Sequence, residues 1–385
     1  MSRAKNPEKT PCEAYREFAL KSQKADTTAH VLHLARSKSK STPANFDMDP
    51  WKFNCPNGTV DLKDGQLLAH NPRDMITKIA GCNYYPDALA PLWEAFLHRV
   101  LGGSHALIVF LQKAVGYALT GLTTEHCFFI LYGLGANGKS TFTGTILEML
   151  GGYGGIIPSS LLTAQKFEQH PTVLADLFQV RMAVSSEVKS GTSWDEERVK
   201  ALTGGDKIKA RRMNENFWEF DPTHKLWLCA NHAPVTKDNS EGFWRRPRMV
   251  PFTATIPKGE RDPKLMDKLK AELPGILAWA VRGCLLWQQE GLGLPKEVQD
   301  ATDDYRTHQD PFGRFLDECT ERPGSGDGIF QVQAKDLLYA QWKWARENDE
   351  QSLSAKELKA VAEEHDIPSK RSDGMQFRGI RLKPG

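Results

Sequence analysis

Between Cys127 and Leu150 the chain reads CFFILYGLGANGKSTFTGTILEML, and this stretch decides the fold. Cys127 to Leu131 is an apolar and aromatic run of the kind that forms a buried strand. Gly133, Gly135 and Gly138 follow, then Lys139, Ser140 and Thr141. Phe142, Ile146 and Leu150 recur at intervals of four and predict a helix. Strand, G-x-x-x-x-G-K-S and helix, in that order, spell a phosphate-binding loop. The glycines let backbone N–H groups close around phosphate oxygens, where a side chain would obstruct them. The helix N-terminus adds its dipole. The expected nucleotide contacts are Gly133, Gly135, Ala136, Asn137, Gly138, Lys139, Ser140 and Thr141. Lys139 supplies a point charge to the β- and γ-phosphates, and the Ser140 hydroxyl a ligand for Mg2+. ATP and Mg2+ are the expected cofactors. A glycine-rich turn with an incidental lysine is the plainer alternative.

Such a site needs a carboxylate to hold the metal and orient the attacking water. Arg181 to Glu187, RMAVSSE, reads as an apolar strand ending in an acid 48 residues beyond Lys139, and Glu187 is the candidate. His224 to Asn231, HKLWLCAN, reads as a buried strand ending in an amide. Asn231 could hydrogen-bond the γ-phosphate or the water without competing for metal. Arg245 and Arg246 stand on a loop before a short strand, and arginine stabilises charge on a transferring phosphate, in some cases from a neighbouring subunit. Between these, Lys207 to Phe220 (KIKARRMNENFWEF) predicts a β-hairpin turning at Asn214 to Asn216. Lys207, Lys209 and Arg211 alternate, which puts three cations on one strand face and suits a phosphodiester backbone. A solvated charged face is the alternative.

The remaining sequence sets the frame. The net charge is +2, with nine Lys/Arg against four Asp/Glu in residues 1 to 42, so nucleic-acid binding would rest on local patches. The seven cysteines include no C-x-x-C pair, which argues against a zinc ribbon. Cys127 and Cys229 sit in apolar runs as reduced core residues. No stretch reads as a signal peptide or a membrane span, and a cytoplasmic protein is expected. Residues 1–45 form a basic N-terminal segment. Residues 46–100 form a small α+β domain, with turns at Asn57-Gly58 and Asp64-Gly65; Asp47, Asp49 and Asp61 read as turn residues and not as a metal cluster. An α/β ATPase domain is expected over 101–300. A helical and winged-helix-like module is expected over 301–385, with a capping box at Ser354 and Glu357. Its Lys370, Arg371, Arg378, Arg381 and Lys383 suit duplex DNA, and protein docking is the alternative.

Taken together, GLGANGKST, RMAVSSE, LTGGDKIKARR, LWLCANHAP and FWRRPRMVPF resemble the superfamily 3 helicase domain of phage and plasmid primase-helicases, relatives of the poxvirus primase-helicase. FNCPNGTVDLKDGQLLAHNPRDMITK resembles the small domain that precedes it, and the likeness covers roughly residues 46 to 320. The resemblance implies an AAA+ P-loop fold in a homo-hexameric ring, with single-stranded DNA through the centre and 3′ to 5′ movement. It implies that Lys139, Ser140 and Thr141 are the Walker A residues, Glu187 the Walker B acid and Asn231 the polar sensor. Arg246, or failing that Arg245, is implied as the finger acting on a neighbour's ATP. Lys207, Lys209, Arg211 and Arg212 lead into a pore hairpin with Asn214 at its tip. Two positions depart from the pattern. Ser186 stands where many members have a second acid, and the hairpin tip reads Asn-Glu-Asn without a cation, which moves the expected DNA grip to Lys209 or Arg212. The function implied is an ATP-dependent DNA helicase replicating a phage, plasmid or other mobile element, acting on forked or duplex DNA. A separate primase or polymerase is an expected partner. The alternatives are a non-helicase AAA+ loader or remodeller and a nucleotide-switched origin-binding protein.

Overall fold

The computed structural model describes residues 10–38, 45–165, 171–185, 188, 191–236, 240–323, 330–348, 350–371 and 374–383. Two helices come first, α1 (Pro11–Ser22) and α2 (Ala25–Lys38), with a Thr10–Glu13 capping box starting α1. Tyr15, Phe18, Val31 and Leu34 on this pair are exposed. Strands β1 (Lys52–Cys55), β2 (Gly58–Asp61) and β3 (Gln66–Leu68) then form an antiparallel meander. Its first turn falls at Pro56–Asn57, one residue earlier than the Asn-Gly pair predicts, because Gly58 itself pairs with Cys55. The aspartates here are local. Asp47 accepts from the backbone of Thr77 and Lys78, Asp49 from that of Trp51, and Asp61 pairs with Lys52 at 2.8 Å. Among the described residues no group of three or more His, Cys, Asp or Glu could hold a metal ion.

Helices α3 (Pro91–Val100) and α4 (His105–Leu119) lead into an alternation of strands and helices. In order these are β4 (Phe128–Tyr132), α5 (Lys139–Leu150), β5 (Gly154–Ile157), the single turn α6 (Thr172–Ala175) and β6 (Met182–Ser185). Next come α7 (Glu196–Thr203), the hairpin β7 (Ile208–Ala210) and β8 (Trp218–Phe220), then β9 (Lys225–Ala230), α8 (Glu241–Trp244) and β10 (Pro247–Pro251). Five of the strands form one parallel sheet in the order β10-β4-β9-β6-β5. Alternation along β4 sends Phe129 and Leu131 to one apolar layer and Phe128 and Ile130 to the other, so both faces are covered.

The first layer contains α3, α4, α9 (Leu265–Ala271) and α10 (Leu273–Glu290). Helix α9 ends at Ala271 and α10 begins at Leu273, with Pro274 in the first turn of α10, where a proline is tolerated. Helices α4 and α10 meet backbone to backbone. A Cβ on Gly116 would lie 2.1 Å from the Cys284 nitrogen, and one on Gly283 2.0 Å from the Gln112 oxygen. Phe53, Val60 and Leu62 of the meander share this core with Trp93, Phe129 and Trp227, so the apolar interior runs continuously through residue 100.

Two buried basic side chains fasten the C-terminal end of α4. Arg181 donates to the carbonyls of Leu119 and Lys52, and Lys225 to those of Thr120, Leu122 and Thr223. These donors meet carbonyls that the helix end leaves unpaired, and burial lowers the Lys225 pKa well below the usual lysine range.

The chain continues through α11 (Lys296–His308) and α12 (Pro311–Cys319). Strand β11 (Thr320–Glu321) precedes β12 (Gln331–Gln333), α13 (Ala334–Glu347), α14 (Ala355–Glu364), β13 (Ser369–Arg371), β14 (Met375–Arg378) and β15 (Arg381–Leu382). The last sheet has the order β12-β14-β13. Phe312, Phe315, Leu337, Trp344, Leu358 and Phe377 give this end a core of its own. Ser354 and Glu357 form the expected capping box. No helix among the described residues is long and apolar enough to cross a membrane.

Candidate active site

The loop between β4 and α5 turns through left-handed backbone at Gly135 (φ +66°), Ala136 (+46°) and Gly138 (+87°). Gly133 has no room for a side chain, since a Cβ would fall 2.1 Å from Asn137 Nδ2 and 2.3 Å from the Phe252 carbonyl oxygen. Backbone bonds lace the loop to both neighbouring strands. Gly133 N–H donates to Ala230 at 3.3 Å, Phe252 N–H to Tyr132 at 2.7 Å and Ile256 N–H to Ala136 at 3.0 Å.

Lys139 is 3% exposed. Its ammonium donates to Gly133 O at 2.6 Å, Asn137 Oδ1 at 3.0 Å and Asn231 Oδ1 at 2.9 Å. Asn231 arrives there because β9 pairs with β4 in parallel register, Ala230 opposite Tyr132, so both chains leave the sheet at the same edge. A buried ammonium binds an anionic oxygen more strongly than a neutral one, because bonds charged on both sides are the stronger ones. The glycine cradle, the buried cation and the start of a 12-residue helix together fit a polyphosphate. Ser140 is exposed in the first turn of that helix and Thr141 half-buried beside it. Glu187, the expected carboxylate, lies outside the described residues; β6 ends at Ser185, opposite Leu228 of β9.

Arg245 and Arg246 lie at the opposite edge. Strand β10 runs parallel to β4 with Pro247 opposite Phe128 and Pro251 opposite Tyr132, so the arginines precede the strand where the phosphate loop follows it. Five residues of strand, about 16 Å, separate the two. The two side chains differ. Arg245 is exposed, whereas Arg246 is 7% exposed and folded inward. Arg246 Nε donates to Gly242 O at 2.9 Å and Nη1 to Thr203 Oγ1 at 3.0 Å. Burial, reinforced by Arg245, lowers its pKa.

Thr203 ends α7, and the basic hairpin starts four residues later. Strands β7 and β8 pair Ile208 with Phe220, Lys209 with Glu219 and Ala210 with Trp218. Ile208 and Ala210 are buried, and Lys207 and Lys209 exposed, as the alternation predicts. Strand β7 stops at Ala210, so Arg211 falls in the connecting loop and is half-buried. That is a correction to the three-cation strand face. Asn214 is at the turn in left-handed conformation (φ +59°). Phe217, 52% exposed, gathers the cations: Lys209 Nζ and Arg211 Cζ lie 5.3 and 5.2 Å from its ring centre, and Arg212 Cζ lies 5.8 Å from that of Trp218. Under the hairpin a cavity of 460 Å3 is lined by Phe178, Trp218, Phe220, Tyr153 and Arg181, away from the phosphate loop.

Sequence reading missed the aromatic part of this cluster, although Phe217-Trp218 directly follows the basic run. Asn137, expected as a nucleotide contact, also has a structural bond partner that the sequence does not show. Its amide bridges Lys139 to the Phe252 carbonyl, at 3.0 and 3.1 Å. Of the five C-terminal cations, Arg381 is committed to Glu321 at 2.7 Å and Lys383 to the Asp317 carbonyl at 2.7 Å.

Comparison with known proteins bears on this arrangement. Residues 3–102 match the "D5 N terminal like" family, and residues 131–246 a family of unknown function (DUF5906). The chain is 25% identical over 327 residues to "Putative helicase L207/L206" of Acanthamoeba polyphaga mimivirus, covering 79% of this chain and 34% of that protein. It is 27% identical over 292 residues to "Putative helicase 022R" of Frog virus 3, covering 69% and 28%. It is 21% identical over 334 residues to "Putative primase C962R" of African swine fever virus, covering 79% and 34%. The chain is thus similar to viral proteins named as putative helicases and a putative primase. It spans about a third of the length of the curated proteins it matches. Its fold is that of the NrS-1 C-terminal region in an apo form, with a TM-score of 0.57 at 12% identity, covering 94% of this chain and 91% of that one.

Proposed function

We propose that this chain is the ATP-driven helicase part of a replication protein, an AAA+ ATPase that assembles as a hexameric ring and moves along single-stranded DNA. The observation that carries the reading is the placement of charge on the sheet. Lys139 and Asn231 converge at one edge, and Arg245 is exposed at the other, about 16 Å away along the strand, which is more than one arginine side chain spans. A chain whose cradle and arginine face opposite ways completes its site with the next copy. The names of the viral relatives and the match of the family models support a role in DNA replication.

Within that site ATP is the substrate and the phosphate loop its cradle. Lys139 meets the β- and γ-phosphate oxygens, and Asn231 turns to the γ-phosphate or the water. Mg2+ would supply charge neutralisation on the bridging oxygens, with Ser140 and Glu187 as its protein ligands. Arg245 of a neighbouring copy stabilises the charge that develops in transfer. Arg246 is a positioning residue. Its bond to Thr203 joins the arginine loop to the segment carrying the hairpin, so a change at the subunit contact reaches Lys209, Arg211 and Phe217. Those three grip the DNA strand through phosphate contact and base stacking. The C-terminal strand and helix order is that of a winged helix. Movement 3′ to 5′ and a place in the cytoplasm follow the same resemblance.

The direct check on the ring is particle mass with a non-hydrolysable ATP analogue and an oligonucleotide. A hexamer is expected, and a monomer under all conditions contradicts the shared site.

A further inference from the structure

Helix α13 has an outer face that its own module does not use. Its inner face is fully engaged. Leu337, Gln341, Trp344 and Ala345 are buried, Trp344 Nε1 donates to Glu318 at 2.6 Å, and Gln341 bridges to Gln351 and Leu353. On the other side Lys335, Tyr339, Trp342, Lys343 and Arg346 are exposed. At the helical repeat these five fall within an arc of about 100°. No acid lies inside that arc; the exposed acids of the helix, Asp336 and Glu347, lie at its border. Tyr339 and Trp342 are 66% and 44% exposed and stack on each other, ring centres 6.0 Å apart at 23°, and Arg346 Cζ sits 5.7 Å from the Trp342 ring centre.

The neighbouring helix α14 makes the contrast. In a winged helix it occupies the position that reads duplex DNA. Yet Lys356 and Lys359 stand there against Glu357, Glu363 and Glu364, with Glu357 held in the capping box and Lys359 near Glu363 at 3.7 Å. Positive charge and flat aromatic surface are therefore on α13.

We infer that the outer face of α13 is a second binding site for single-stranded nucleic acid, separate from the hairpin. Two exposed stacked rings flanked by three cations match a strand whose bases have free π faces and whose phosphates lie to either side. An acidic protein partner would use the cations but not the open aromatic pair. The site would hold the strand on the C-terminal module while the hairpins step. The inference takes its partner class from the DNA reading above, but not its location.

The test uses the full chain and a fluorescein-labelled oligothymidylate, without ATP, read by anisotropy across a salt series. Tyr339→Ala/Trp342→Ala is expected to weaken binding about tenfold or more, the loss of at least one stacked base, while Tyr339→Phe/Trp342→Phe keeps wild-type affinity. Lys335→Ala/Lys343→Ala/Arg346→Ala is expected to flatten the salt slope by about two. ATP turnover without DNA stays at the wild-type value in each. Unchanged affinity and slope in the alanine variants overturn the site. So does a change in assembly size with oligonucleotide binding intact, which would make the face a protein interface. Loss of binding in Lys209→Ala alone confines DNA to the hairpin and removes this site. A wild-type chain that does not bind the oligonucleotide removes the DNA reading as well.

Discussion

Lys139 and Asn231, 92 positions apart, share a hydrogen bond of 2.9 Å from Nζ to Oδ1. The bond joins the phosphate cradle to the end of β9, the strand beside β4. Lys139→Ala is expected to abolish ATP turnover. Asn231→Ala is expected to keep ATP binding and lower kcat by about 10²-fold, the effect of removing one positioned polar group. Equilibrium binding and turnover measured on both variants check this; equal loss of ATP affinity in the two would make Asn231 a binding residue only.

The arginines separate into two roles. Arg245→Ala is expected to leave nucleotide binding intact and to cut turnover on the order of 10³-fold, and to poison mixed assemblies with wild type. Arg246→Ala is expected to lower stability by about 2 kcal/mol, because Thr203 and the Gly242 carbonyl lose a charged donor. It should also uncouple ATP turnover from DNA. Denaturant unfolding and turnover with and without DNA distinguish them. Sequence and resemblance put Arg246 first as the finger; its inward bonds move the proposal to Arg245.

On the hairpin, Lys209→Ala is expected to weaken oligonucleotide binding and reduce its salt slope by about 0.7, one phosphate contact on a single strand. Phe217→Ala should weaken binding about tenfold with the slope unchanged, because stacking carries no counterion term. Titrations across salt concentration resolve the two.

Two histidines give opposite pH responses. Burial, reinforced by Lys225 and opposed by the Leu202 carbonyl, depresses His224 to about 4. The unfolded chain then binds the proton more readily, so the stability is present above the ordinary histidine value of 6.5 and is lost as pH falls from there toward 4, by about 3 kcal/mol. His365 is raised by its hydrogen bond to Asp310, at 3.1 Å. Its contribution is full below 6.5 and is lost as pH rises through the raised value. Unfolding of His224→Gln and His365→Gln at acid and alkaline pH should remove each slope in turn.

The sheet was legible because β4, β6 and β9 are buried on both faces and read as unbroken apolar runs, and because the loop after β4 has a fixed glycine pattern. The position of Asn231 followed from the strand it ends. The bond partners did not follow. Whether Arg245 or Arg246 turns inward depends on Thr203 and Gly242, which only the packed α7 and α8 bring near. Arg181 and Lys225 sit far from α4 in sequence, and only the folded chain brings them to its end. The single core shared by the meander and α4 was equally hidden, since the turns at 57 and 65 suggest a separate unit.

Whether ATP hydrolysis in this chain drives strand separation is read from a forked DNA duplex incubated with the full chain and Mg-ATP. Release of the displaced strand is expected with wild type and none with Lys139→Ala. Absence of release alongside DNA-stimulated ATP hydrolysis would contradict the helicase reading.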